Sequence, residues 1–131
     1  MCIRDRCKNI HGHSYQLEVT VQGKPITDKN NPKYGMVIDF SDLKEIVKKE
    51  IVDEFDHATV FNGKSPHLEL ANTLKSKGHK IITVNYQPTC EEMIIDFARK
   101  INSRLPSEIK LYKLKLHETA TSFAEWYASD Q

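Results

Sequence analysis

At 131 residues, with 39% hydrophobic and 28% charged side chains, the chain is sized for one domain with a real core. A formal net charge of +1 excludes a global pull towards nucleic acid or an anionic membrane, and no apolar run approaches membrane-spanning length. Three cysteines, Cys2, Cys7 and Cys90, form an odd, sparse set that argues against a disulfide scaffold and for the cytosol.

Residues 1–6 show neither strand alternation nor a helix start, and read as a non-native or disordered leader to a single domain over 7–131. From Ser14 to Gln22, Tyr15, Leu17, Val19 and Val21 alternate with polar residues, which predicts a half-buried strand. The same parity, carried backwards, puts His11 and His13 on the face of Tyr15 and Leu17. Two imidazoles so spaced can grip one metal ion, with Gly12 allowing close approach, although a catalytic zinc wants three protein ligands and an open position. The plainer reading is a pair of strand histidines beside an ordinary Cys7 thiol.

Turn chemistry follows at Gly23–Pro25 and Asp28–Pro32. A short apolar stretch, Gly35–Phe40, leads to Ser41, the expected N-cap of an amphipathic helix carrying Leu43, Ile46, Val47, Ile51 and Phe55 on one side. That helix runs out at Phe55-Asp56-His57. Residues 58–80 read as irregular around one short helix at Leu68–Lys75, and Ile81–Val84 as a short strand. Thr89 and Glu92 match a capping box, opening a second long helix with Met93, Ile94, Phe97, Ala98, Ile101 and Leu105 as its stripe and Pro106 as its stop.

Alternation returns from Lys110, predicting Tyr112, Leu114 and Leu116 on one face and Lys113, Lys115 and His117 on the other. The apolar parity then lands on Glu118, a carboxylate that must be paired or hydrogen-bonded if buried, or is simply exposed at a fraying strand end. A closing strand spans Ser122–Ala128. The order predicts an α+β fold, with helices covering one face of an antiparallel sheet.

Reactive groups recur at element ends: Cys7 with His11 and His13, Asp56 with His57, and Glu118. A thiol near a metal or imidazole loses its proton readily, and a carboxylate beside an imidazole can shuttle protons. Asp56-His57 also reads as an ordinary charged pair ending a helix. His67, His79 and His117 fall in no motif and are expected at solvated positions.

Cys7-x-x-x-His11-Gly12-His13, Gly35-Met36-Val37-x-Asp39-Phe40-x-x-Leu43-Lys44, Phe55-Asp56-His57, Pro88-Thr89-x-Glu91 and Glu118-Thr119 occur here in the order found in the 6-pyruvoyltetrahydropterin synthase family. The chain resembles that family over nearly its whole length after residue 6. The three-residue gap between Cys7 and His11 resembles the bacterial 6-carboxytetrahydropterin synthases of queuosine biosynthesis. The resemblance implies the tunnelling fold, with subunits joining sheets into a barrel as a homohexamer and active sites between subunits.

By the same resemblance, His11 and His13 would ligate Zn2+, Cys7 would be the catalytic thiolate, and Asp56 with His57 its partners in proton transfer. Glu118 would hold the guanidine-like edge of the pterin, with Thr89 and Glu91 around the same ring. The substrate implied is 7,8-dihydroneopterin triphosphate, and the reaction a lyase step releasing acetaldehyde and triphosphate. The family's third zinc histidine lies on a strand before His11, and no histidine precedes His11 here, so the chain is expected to lack its first strand. Elimination of triphosphate alone, as in the pyruvoyl-forming branch, and a non-catalytic pterin-binding subunit remain as alternatives. A cysteine hydrolase lacks a nucleophile elbow, and nucleic-acid binding lacks a basic stripe with interleaved aromatics.

Overall fold

A computed structural model describes residues 13–131, in the order β1 (Gln16–Gln22), α1 (Phe40–Val47), α2 (Asp53–Phe55), β2 (Thr59–Asn62), α3 (Leu68–Ser76), β3 (Ile81–Val84), α4 (Cys90–Asn102), β4 (Lys110–His117) and β5 (Phe123–Tyr127). Cys7 and His11, and with them the expected leader, lie outside the described residues.

The period-two segments at either end of the chain find each other. β4 is the centre of a three-stranded antiparallel sheet, with β1 on one side and β5 on the other. Leu17 faces Leu116 and Val19 faces Leu114 across the β1–β4 ladder. Beyond them the register slips, Thr20 opposing Lys113 but Val21 opposing Leu111. The extra residue in β4 is Tyr112, and this bulge corrects the expected parity: Leu111 is buried and Tyr112 is exposed. At the far end of β1, Gly23 runs against Val37 and Ile109, where a Cβ would come within 2.9 Å of the valine.

α4 covers β4 and β5 with the stripe read from the sequence, and Met93, Ile94, Phe97, Ala98 and Ile101 are all buried. Ile101, Leu114 and Leu116 are the largest fully buried side chains, each contributing roughly 1.5–3 kcal/mol of apolar burial. Thr89 caps α4 as expected, its hydroxyl accepting the Glu92 amide at 3.2 Å, and the helix stops four residues short of Pro106.

The first helix departs from expectation in two ways. Its N-cap is Asp39 rather than Ser41: the Asp39 carboxylate accepts the Ser41 amide at 2.9 Å and the Ser41 hydroxyl at 2.6 Å, a stronger acceptor outcompeting the neighbouring hydroxyl. It is also not one α-helix, because a π-helical turn over Lys48–Val52 separates α1 from α2. That turn packs on α4 and drives Ile51 into the core. Residues 58–80 hold more order than expected. Thr59–Asn62 is a strand, pairing in parallel with Ile81–Val84 through the crossover helix α3.

Candidate active site

Glu118 is the first residue of the β4–β5 turn, and Ser122 holds it there. The Ser122 carbonyl accepts from the amides of Glu118 at 2.9 Å and Thr119 at 3.2 Å, while the Thr119 hydroxyl accepts the Ser122 amide at 3.0 Å. This turn fixes the carboxylate at the end of the central strand with its side chain 18% exposed. His13, just ahead of β1, lies 3.3 Å from it through Nε2, an atom shielded from solvent. The two groups, each placed by strand parity on the side of its own strand's apolar residues, thus meet.

They sit in a cleft of about 410 Å³ lined by His13, Ser14, Gln16, His117, Glu118, Thr119 and Ala120. Tyr15 stands beside it, its ring edge-on to His13 at 6.0 Å. Burial, reinforced by the nearby charges of Glu118 and Cys90, pushes the Tyr15 hydroxyl up to about 12, so it remains a neutral donor at any physiological pH. A larger concavity of about 740 Å³, at the far end of the sheet against Val37 and Ile109, is lined by none of the candidate site residues.

The N-terminus of α4 reaches the same end of the sheet. Buried Cys90 donates its thiol to the Leu116 carbonyl at 3.2 Å, pinning the first turn of the helix two residues before Glu118. Burial pushes this thiol up, with the charges of Glu118 and Glu91 acting the same way against the Ala124 amide, so Cys90 is a structural thiol and not a nucleophile. Flanking it, Thr89 caps the helix and Glu91 lies in its first turn. A hydrogen bond from its own backbone amide holds the Glu91 carboxyl below the usual range, despite some burial. His13, Glu118, Thr89 and Glu91 therefore gather at one end of the sheet, and Tyr15 and Cys90 join them. The sequence signal for Cys90 was its place between two motif residues; Tyr15 read only as one more inward strand position.

Asp56 and His57 are arranged differently. Their side chains meet, His57 Nδ1 to Asp56 Oδ1 at 3.0 Å, yet they are 62% and 90% exposed and do not line the cleft. His57 has a φ of 57°, the left-handed conformation that ends the helix and that a non-glycine residue adopts at a cost of about 1–2 kcal/mol. Lys80 secures the turn by donating to the carbonyls of Asp53 at 2.8 Å and Asp56 at 2.6 Å. The preceding Phe55 packs edge-on to Phe97 at 5.0 Å. Phe97 is seven residues past Cys90, about 10 Å further along α4.

His117 corrects another expectation. It is not solvated but faces Glu18 diagonally across the strands, Nε2 to Oε2 at 2.9 Å, with Phe123 against its ring at 5.5 Å. His67 and His79 are exposed as expected.

Among the described residues no group of three or more His, Cys, Asp or Glu side chains could hold a metal ion. His13 presents one shielded imidazole nitrogen to the cleft, the chemistry of a single zinc ligand. Also among the described residues, no helix is long and apolar enough to cross a membrane.

The architecture is found in solved structures. An uncharacterised protein from Wolinella succinogenes superposes with a TM-score of 0.75 at 20% identity, over 94% of this chain and 81% of that one. A sheet strapped by one long helix thus brings a histidine and a glutamate together at the strand ends. The chain belongs to the 6-pyruvoyl tetrahydropterin synthase family, whose profile matches residues 1–129. Among curated relatives, the 6-carboxy-5,6,7,8-tetrahydropterin synthase of Haemophilus influenzae is 39% identical over 92% of this chain and 84% of its own length. The protein of the same name from Aquifex aeolicus is 36% identical over 93% and 76%.

Proposed function

We propose that this chain is a 6-carboxy-5,6,7,8-tetrahydropterin synthase, a cytoplasmic zinc-dependent lyase of queuosine biosynthesis that works as a homohexamer on 7,8-dihydroneopterin triphosphate. The observation that carries the reading is the Glu118 carboxylate, held by the Ser122 turn in a sheltered cleft 3.3 Å from His13. A carboxylate so fixed can accept two parallel hydrogen bonds from the guanidine-like edge of a pterin, an interaction strengthened by partial exclusion of water. Thr89 and Glu91, on the helix that Cys90 pins to the same strand end, are proposed to contact the ring.

His11 and His13 would hold zinc, which supplies Lewis acidity to the substrate's side-chain hydroxyls. Binding of metal and pterin would separate His13 from Glu118, each exchanging the other for its ligand. Cys7 is proposed to take a proton from the substrate side chain, and His57, oriented by Asp56 through Nδ1, to give or accept the second. The exposed pair needs cover to do this, and the sites of the proposed hexamer, lying between subunits, would provide it.

The test is metal content and product analysis on 7,8-dihydroneopterin triphosphate. Bound zinc with release of acetaldehyde and triphosphate is expected, and Cys7→Ala should abolish turnover while leaving zinc bound. Triphosphate without acetaldehyde would identify the pyruvoyl-forming reaction, and pterin binding without turnover a non-catalytic subunit. Loss of zinc with activity retained in Cys7→Ala would defeat the base assignment.

A further inference from the structure

Asp96 is a buried charge outside every motif. It lies in the middle of α4 at 8% exposure, and nothing in the chemistry proposed above uses it. The Tyr86 hydroxyl donates to Oδ2 at 2.7 Å, Arg99 donates to Oδ1 at 2.6 Å, and Lys100 Nζ lies 3.5 Å from Oδ2. Lys100 in turn reaches Glu54 at 3.2 Å and sits over the Phe55 ring at 4.8 Å.

The two ends of this network are informative. Tyr86 begins the segment that turns through Pro88 into Thr89 and Glu91, so its bond to Asp96 folds that segment back along the first turns of α4. Glu54 and Phe55 immediately precede Asp56 and His57, so the Lys100 contacts locate the exposed pair against the same helix. A buried carboxylate left with one partner removed is costly, which makes Asp96 a firmer anchor than a loose surface pair.

We propose that Asp96 is a positioning residue, tying the pterin-contacting segment at Thr89 and Glu91 and the proton-transfer pair at Asp56 and His57 to one rigid reference, α4. The proposal rests on the function assigned above. It predicts effects that separate by branch. Tyr86→Phe cuts only the first link, Glu54→Gln only the second, and Asp96→Asn weakens both.

The experiment measures amide hydrogen exchange and the affinity for 7,8-dihydroneopterin by fluorescence in the full chain and the three variants. Tyr86→Phe should speed exchange at residues 86–91 and weaken pterin binding about tenfold, leaving 53–58 unchanged. Glu54→Gln should speed exchange at 53–58 with pterin affinity intact, and where turnover is measured it should lower kcat without raising KM. Asp96→Asn should do both. A merely structural role would instead speed exchange uniformly along the chain in all three. Uniform exchange, or unchanged affinity in Tyr86→Phe, overturns the positioning role while leaving the functional reading intact. Failure of the unaltered chain to bind the pterin overturns both, so the two failures are distinguishable.

Discussion

The strand-end cleft and the corner at His57 hold the two halves of the proposed chemistry, and they are built on opposite principles. At the cleft, backbone hydrogen bonds from the β4–β5 turn, a shielded histidine and the docked start of α4 hold the Glu118 side chain at 18% exposure. At the corner, Asp56 and His57 touch each other but stand in water, their backbone fixed by Lys80 and a left-handed turn while their side chains remain exposed. Recognition of a fixed ligand edge calls for a preorganised, partly dry acceptor. A proton shuttle can be finished by whatever surface closes over it. The fold accordingly concentrates its internal packing on the proposed binding half.

That contrast can be broken by substitution. Of substitutions in these two regions, His57→Ala should have the largest effect on turnover, a loss of about 10²–10⁴-fold typical of a removed acid–base group, with the melting temperature unchanged because the side chain is solvated. Steady-state kinetics and a thermal melt check both. Glu118→Gln should act on binding, weakening pterin affinity by about 10- to 100-fold, the range of one charge-assisted hydrogen bond pair, as measured by fluorescence titration.

Smaller effects sharpen the picture on the stability side. Burial raises the Asp96 carboxyl, but the Tyr86 and Arg99 hydrogen bonds and the charges of Lys100 and Arg99 outweigh it and leave the group below its ordinary value. A depressed carboxyl contributes stability above its unfolded pKa and loses it as pH falls through the folded one. The acid limb of a urea-unfolding series below about pH 4 should therefore be shallower in Asp96→Asn than in the unaltered chain. Thr89→Ala should cost least, about 1 kcal/mol of stability from loss of the cap on the Glu92 amide, read by the same denaturation series.

Local pattern revealed much of this molecule. Alternation around Leu17, Val19, Leu114 and Leu116 located the two strands that became the heart of the sheet, and the 3.6-residue stripe from Met93 to Ile101 became the core helix, cap included. Glu118 stood out because strand parity carried a charge towards an apolar face. Parity failed at Tyr112, since a bulge is decided by how one strand fits its neighbour rather than by its own residues. β2 was hidden because Thr59–Asn62 gains its ladder only when Ile81–Val84 returns beside it.

What the chain determines alone is therefore whatever depends on spacing along itself: helix faces, strand faces, caps, and the residue types at element ends. The tertiary structure decided which ends meet. Cys90 reaches across 26 positions to Leu116 and His117 across 99 to Glu18, and Asp96 becomes a hub only because Tyr86 returns to it and Lys100, one turn along its own helix, links it to Glu54. Such contacts arise where elements remote in sequence pack together, and each partner is ordinary on its own until the fold brings the other within reach.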